Sequence, residues 1–138
     1  MTFKILEILD STSENVLAKV DHQNHQLTAI IRDMKDKEIL LDTPIQGEIS
    51  FDQILDWKVL ADFEDAQSGI WQGQDGIHLV GRIHSILDYG DGRMIMDIYM
   101  QNGPELFTVN LETAEDKILD ANDGLEFIVD HLYLHPIL

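Results

Sequence analysis

The chain has 138 residues, of which 44% are hydrophobic, so it can bury the core of one domain or of two very small ones. It carries 26 Asp and Glu against 9 Lys and Arg, and a net charge of -17 disfavours nucleic acids and anionic membranes as partners while favouring basic proteins. The alternative is that the acidity serves only solubility or adaptation to a salty interior. The absence of Cys excludes disulfides, thiolate nucleophiles and Cys-ligated zinc.

The N-terminal segment MTFKILEILD has a short apolar run interrupted by Glu7. It predicts neither a signal peptide nor a membrane span, and we therefore expect a cytoplasmic protein. Alternation of apolar and polar residues follows and predicts a hairpin of two strands around the turn HQNH. The apolar phase of this hairpin contains Val16, Ala18 and Val20, then Leu27, Ala29 and Ile31.

The second half of the chain repeats this pattern around the segment QNGPE. Its apolar phase contains Met94, Met96, Ile98 and Met100, then Phe107, Val109 and Leu111. Two longer apolar runs, ILDWKVL at 54–60 and LEFIVDHLYLHPIL at 125–138, predict strands buried on both faces. Trp57 is expected in the core. The polar connections contain helix formers and predict one or two short helices at most.

Three segments recur in the same order. Ile8-Leu9-Asp10 matches Ile86-Leu87-Asp88, Gln26 to Ala29 matches Leu106 to Val109, and Ile54-Leu55-Asp56 matches Ile128-Val129-Asp130, with offsets of 78, 80 and 74. The common order favours an internal duplication, and the alternative is chance similarity in a chain rich in Ile, Leu and Asp. The organisation predicted is a first unit at 1–62, a Gly-containing linker at 63–76 and a second unit at 77–138.

The second unit, with its segments HLVGRIHSILDYGDGRMIMDIYM, ELFTVNL and ANDGLEFIVDHLYLHPI, resembles an OB-fold. The resemblance implies an all-β protein of two small OB-like barrels or curled sheets in tandem. OB-folds commonly bind single-stranded nucleic acids or oligosaccharides through exposed aromatic and cationic side chains. The only cations of this second unit are Arg82, Arg93 and Lys117, so nucleic-acid binding is not expected.

Residues with potential for catalysis or metal binding have unsuitable spacing. Of the His residues, only His22 and His25 flank a turn short enough to bring two imidazoles together, and two ligands do not make a metal site. The segment 88–92 resembles part of a calcium loop but lacks its spacing, and Asp and Gly also suit a tight turn. No nucleophile elbow or nearby His accompanies Ser50, Ser68 or Ser85. We predict no catalytic residue, metal or cofactor.

The leading hypothesis is a non-enzymatic acidic binding or adaptor protein that engages a protein partner, most favourably a basic one. Trp71 and Ile70 would form an apolar anchor, and the acidic side chains would come from Glu112, Glu115 and Asp116. For Trp71, the alternative is that it pins the linker to a barrel. Two other functions remain open: a nucleic-acid mimic that inhibits a DNA- or RNA-binding protein, and a small-ligand-binding or hydrolytic barrel that uses His and carboxylates.

Overall fold

The computed structural model describes residues 1–12, 14–33, 39–101, 106–112 and 119–137. It is almost entirely β, which confirms the predicted fold class. Within the described residues the one helix is a single 3₁₀ turn, Asp65–Gln67, while the connection at 113–118 lies outside them. The strands are β1 (Thr2–Ser11), β2 (Val16–His22), β3 (His25–Ile31), β4 (Ile45–Ser50), β5 (Ile54–Leu60), β6 (Gly69–Gln72), β7 (Ile77–Asp88), β8 (Arg93–Tyr99), β9 (Leu106–Glu112), β10 (Gly124–Val129) and β11 (Tyr133–Pro136).

The first unit contains a closed barrel with the strand order β1-β2-β3-β11-β4. Strands β1, β2 and β3 are successive antiparallel neighbours, and β4 closes the barrel against the start of β1. The last strand, β11, runs parallel to β3 and antiparallel to β4. A closed barrel of five strands is consistent with the OB-like resemblance at the level of the fold.

The hairpin of β2 and β3 forms where the alternating pattern predicts it. Gln23 and Asn24 both have positive φ angles, 50° and 66°, which is the backbone of the tight two-residue turns that join twisted strands. The predicted apolar phase is buried on both strands, and it packs in the barrel with Phe3 and Ile5 of β1 and Leu134 of β11. Local pattern and turn chemistry therefore specify this part of the core.

A second sheet has the strand order β5-β10-β7-β8-β9, with β6 paired to β7, and most of its residues belong to the second unit. Its core includes Ile83, Met96, Ile98 and Phe127. β5 lies at the edge of this sheet, where it has one neighbouring strand among the described residues, and it does not have the two buried faces that its apolar run predicts. Its side chains are half-buried or exposed, and Trp57 is half-buried and so is not the fully buried core residue expected.

The two compact units are interleaved along the chain. The first comprises Met1–Leu55, Ile70–His78 and Ile128–Leu138, and the second Asp56–Gly69 and Leu79–Phe127. This division differs from the contiguous boundaries 1–62 and 77–138, because β11 supplies a strand of the barrel formed by the N-terminal strands. The predicted linker 63–76 contains β6 and the 3₁₀ turn. Within the described residues, no helix is long and apolar enough to cross a membrane.

Candidate functional site

The end of the β1–β2 hairpin is the most exposed part of the first unit's strands. The ladder between β1 and β4 contains only Thr2 and Phe3 of β1, and a single further bridge joins Ile5 to Leu41. Beyond Ile5, β1 bulges twice and every residue from Glu7 to Ser11 is exposed. Within the described residues, the edge of this segment that faces away from β2 therefore has no ladder partner.

This end, residues 7–12 and 14–17, is called the first hairpin tip. It exposes Ile8, Leu9 and Leu17, and 46% of Leu9 is accessible to solvent. The same stretch of sequence contains the acids Glu7, Asp10 and Glu14 and no Lys or Arg. In the turn, the backbone N–H of Thr12 donates to the carbonyl oxygen of Asn15. The tip thus combines apolar surface with negative charge on a hydrogen-bonded hairpin.

The end of the β7–β8 hairpin has a similar composition. This second hairpin tip, residues 84–93, follows a bulge in β7 and exposes 55% of Leu87 and 52% of Tyr89. Within it, the Asp88 carboxylate accepts a hydrogen bond of 2.8 Å from the N–H of Gly90, whose φ of 79° suits glycine. Asp91 pairs with Arg93 at 2.8 Å, and the Arg93 hydrogen bond lowers the pKa of Asp91. These local bonds support the turn interpretation of residues 88–92.

The described residues contain no group of three or more His, Cys, Asp or Glu side chains arranged to hold a metal ion. His22 and His25 are register partners across their turn, yet His22 is buried and His25 is exposed. The Nδ1 atom of His22 lies 2.9 Å from the carbonyl oxygen of Thr2, so this imidazole has a structural contact within the barrel unit.

Trp71 lies in β6 and stacks on His78, with ring centroids 5.6 Å apart and an interplanar angle of 12°. His78 Nε2 lies 2.7 Å from a carboxylate oxygen of Asp75, and this hydrogen bond lowers the pKa of Asp75. Gln72 accepts a hydrogen bond of 2.7 Å from the backbone N–H of Thr28. These contacts hold β6 within the first unit, which favours the pinning alternative for Trp71.

The structure does not show the other predicted partner-binding residues on an exposed surface. Ile70 is 0% exposed and belongs to the core, so it offers no surface to a partner. Glu112 ends β9 opposite Arg93, but its side chain is outside the described part of the structure, as are Glu115 and Asp116 altogether. The acidic contribution of these three residues stays a prediction.

A polar cluster lies on β4 and β11. Ser50 Oγ is 2.7 Å from Nε2 of His135, so the prediction that Ser50 has no His nearby is wrong. The antiparallel pairing of the two strands brings these residues together across 85 positions of sequence, and no sequence motif signals such a contact. A hydroxyl hydrogen-bonded to an imidazole is the first requirement of nucleophilic catalysis, although a third group must orient the imidazole.

Next to this pair, the hydroxyl of Tyr133 donates a hydrogen bond of 2.7 Å to Asp52. The guanidinium of Arg32 lies 4.1 Å from the centroid of the Tyr133 ring, within the range of a cation–π contact. The hydrogen bond to Asp52, with burial, raises the pKa of Tyr133 above its ordinary value. The Tyr133 phenol is therefore held neutral and acts as a donor.

Comparisons with known proteins add no family to these observations. The chain matches no protein-family model, and no curated protein is significantly similar to it. The two hairpin tips and the polar cluster are therefore the features from which a function can be inferred.

Proposed function

We propose that the protein is a non-enzymatic acidic binding or adaptor protein that engages a basic, extended segment of a partner protein. The single observation that carries this proposal is the first hairpin tip, where Ile8, Leu9 and Leu17 are exposed beside an acidic strand edge that has no ladder partner within the described part of the chain. Covering apolar surface is favourable by roughly 25 cal/mol per Å², so a partner that packs on these side chains gains binding free energy.

The edge of β1 beyond Ile5, which has no ladder partner among the residues that the structure describes, favours an extended partner. Backbone groups on an edge strand can hydrogen-bond an added strand, while alternate side chains provide specificity. Basic side chains of the added strand would pair favourably with Glu7 and Asp10. Apolar side chains of that strand would pack on Ile8. A second copy of the chain would place like charges opposite one another, which is destabilising. The net charge of -17 also repels a second copy and accelerates association with a cationic segment.

The proposal is tested by fluorescence anisotropy with a short labelled peptide of alternating Lys and Val, and with an alternating Glu and Val peptide as the control. We expect the Lys peptide to bind and the Glu peptide not to bind. Affinity should fall in 1 M salt, where the Debye length is about 3 Å. If the Lys peptide does not bind at low salt, the proposal is wrong.

Matched variants separate apolar recognition from charge alone. Leu9→Ser should weaken binding about tenfold, equivalent to about 1.4 kcal/mol, because it removes an apolar contact while leaving the acids in place. Ile137→Ser changes an exposed apolar residue outside the tip and should leave affinity unchanged. If the protein instead mimics a nucleic acid and relies on charge alone, Glu7→Gln and Asp10→Asn should weaken its binding, whereas Leu9→Ser should leave the affinity unchanged.

The hydrolytic alternative is favoured by one specific observation, the 2.7 Å contact between Ser50 and His135. It predicts that a fluorophosphonate probe labels Ser50 and that both Ser50→Ala and His135→Ala abolish the labelling. Our proposal predicts no labelling of the wild-type protein under the same conditions. Labelling of Ser50 that depends on His135 would establish an activated serine and would contradict the non-enzymatic assignment.

A further inference from the structure

We infer that the second hairpin tip is a second binding site of the same kind, so that one chain binds two basic segments. This inference rests on the proposed function of the first tip. The two units share a strand order and a short recurrent sequence, and a second site would let one chain join two segments, as an adaptor must.

The two units share a strand order within their own sheets. In the first, β1, β2 and β3 are consecutive neighbours and β4 lies on the other side of β1. In the second, β7, β8 and β9 are consecutive neighbours and β10 lies on the other side of β7. Strands β1 and β7 therefore hold equivalent positions, as do β3 and β9. The first two sequence matches fall on these equivalent strands.

The third sequence match does not follow this equivalence. Ile54 begins β5, whereas Ile128 and Val129 end β10. By strand order, the equivalent of β10 is β4 and the equivalent of β11 is β5. Because β11 pairs in the first unit and β5 pairs with β10, each unit's fifth strand comes from the other half of the chain. The duplication interpretation is supported by the first two matches and by strand order.

The recurrent Ile-Leu-Asp sequence occupies the same place in both units. Ile8-Leu9-Asp10 and Ile86-Leu87-Asp88 each lie in the distal part of the first strand, beyond a bulge. Leu9 and Leu87 are among the exposed large apolar residues of the molecule. Leu9 is 46% exposed and Leu87 is 55% exposed, so each offers apolar surface to a partner. A common role in binding accounts for the leucine at both positions.

The two tips differ in charge, and the difference predicts unequal affinities. The second tip contains Asp88 and Asp91, but Arg93 pairs with Asp91 and reduces the negative charge offered to a basic segment. Asp88 accepts the N–H of Gly90 through one oxygen. Tyr89 is 52% exposed, with the Arg93 guanidinium carbon 5.3 Å from its ring centroid, and tyrosine is enriched at the centres of binding interfaces. We therefore expect weaker, less salt-sensitive binding at the second tip.

Isothermal titration calorimetry of the full chain with the Lys and Val peptide tests this inference. The wild-type protein should bind two peptides, one tightly and one weakly. Leu9→Ser should weaken the tighter site about tenfold and leave the other unchanged, and Leu87→Ser should do the reverse. Ile137→Ser is the matched control and should retain both sites. Circular dichroism and tryptophan fluorescence verify that each variant is folded.

The outcomes distinguish this inference from the proposed function. A stoichiometry of one, weakened by Leu9→Ser and unaffected by Leu87→Ser, would overturn the second site and leave the proposed function intact. Two sites of which neither responds to Leu87→Ser would also overturn it. Failure of the wild-type protein to bind any Lys peptide would overturn both.

Discussion

Replacement of Leu134 by Ala tests whether the last strand completes the barrel of the N-terminal strands. Leu134 is 0% exposed and pairs with Ile31 of β3 on one side and Ile49 of β4 on the other. Its carbonyl oxygen also accepts the backbone N–H of Arg32. Leu to Ala changes in protein cores cost about 2 to 5 kcal/mol, with larger values where the surroundings cannot collapse. Ladders on both sides of β11 restrain collapse, so we expect about 3 to 5 kcal/mol.

The two tryptophans allow the unit containing this strand to be observed separately. Trp71 belongs to the first unit and Trp57 to the second. In a Trp57→Phe background, urea unfolding followed by fluorescence reports the environment of Trp71. With a slope of about 2 kcal/mol per M, Leu134→Ala should lower the urea midpoint by about 1.5 to 2.5 M. Ile137→Ala, at a position 60% exposed, should change stability by less than about 0.5 kcal/mol.

A small effect of Leu134→Ala on the stability of the first unit would refute the placement of β11 in the barrel. If Leu134→Ala and Ile137→Ala shift the Trp71 transition equally, the C-terminal strand does not contribute to the core of the barrel. The same conclusion would follow if Leu134→Ala shifted only the transition reported by Trp57 in a Trp71→Phe background.

Three further predictions concern packing and titration. Gly81→Ala should destabilise the second unit by about 1 to 3 kcal/mol, measured by Trp57 fluorescence, because its Cβ would lie 2.5 Å from Ile98 Cγ2 and 2.7 Å from the carbonyl oxygen of Tyr99. Asp52→Asn should lower the raised pKa of Tyr133, which ultraviolet absorbance measures. The stabilisation of the fold by the neutral phenol is present below pH 10 and is lost as the pH rises through the raised pKa. His78→Ala should raise the lowered pKa of Asp75 in carboxyl NMR, and the stabilisation from this contact, present above pH 3.8, should disappear as the pH falls through the lowered value.

Local sequence patterns predicted the parts of the fold that depend on neighbours in the chain. The β2–β3 hairpin follows from alternation and from a turn that tolerates positive φ, and Met96, Ile98 and Val109 are buried as their phase predicts. The turn at 102–105 lies outside the described residues. Alternation does not determine which distant strands pair. The interleaving of the units and the half-buried state of Trp57 both depend on such pairing.

The sequence did not locate the hairpin tips, and the acidic binding surface that it suggests stays a prediction. Composition favours an acidic surface, and the glycines around Ile70 and Trp71 predict a flexible loop that could present both side chains to a partner. In the structure this segment is the paired strand β6, which buries Ile70 and stacks Trp71 on His78. The Ile-Leu-Asp repeat was the available signal for the hairpin tips. Its exposure was not predictable, because bulges in β1 and β7 take the apolar residues out of the core.

The most direct test of the central claim is amide NMR of the isotope-labelled full chain titrated with the Lys and Val peptide. Chemical-shift changes should be largest at the first hairpin tip, residues 7–12 and 14–17, and should appear at higher peptide concentration at the second tip, residues 84–93. Amides next to Trp71 and His135 should change little. Changes centred on Trp71, or on the Ser50 and His135 pair, with both tips unaffected, would contradict the assignment of the hairpin tips as the binding surface.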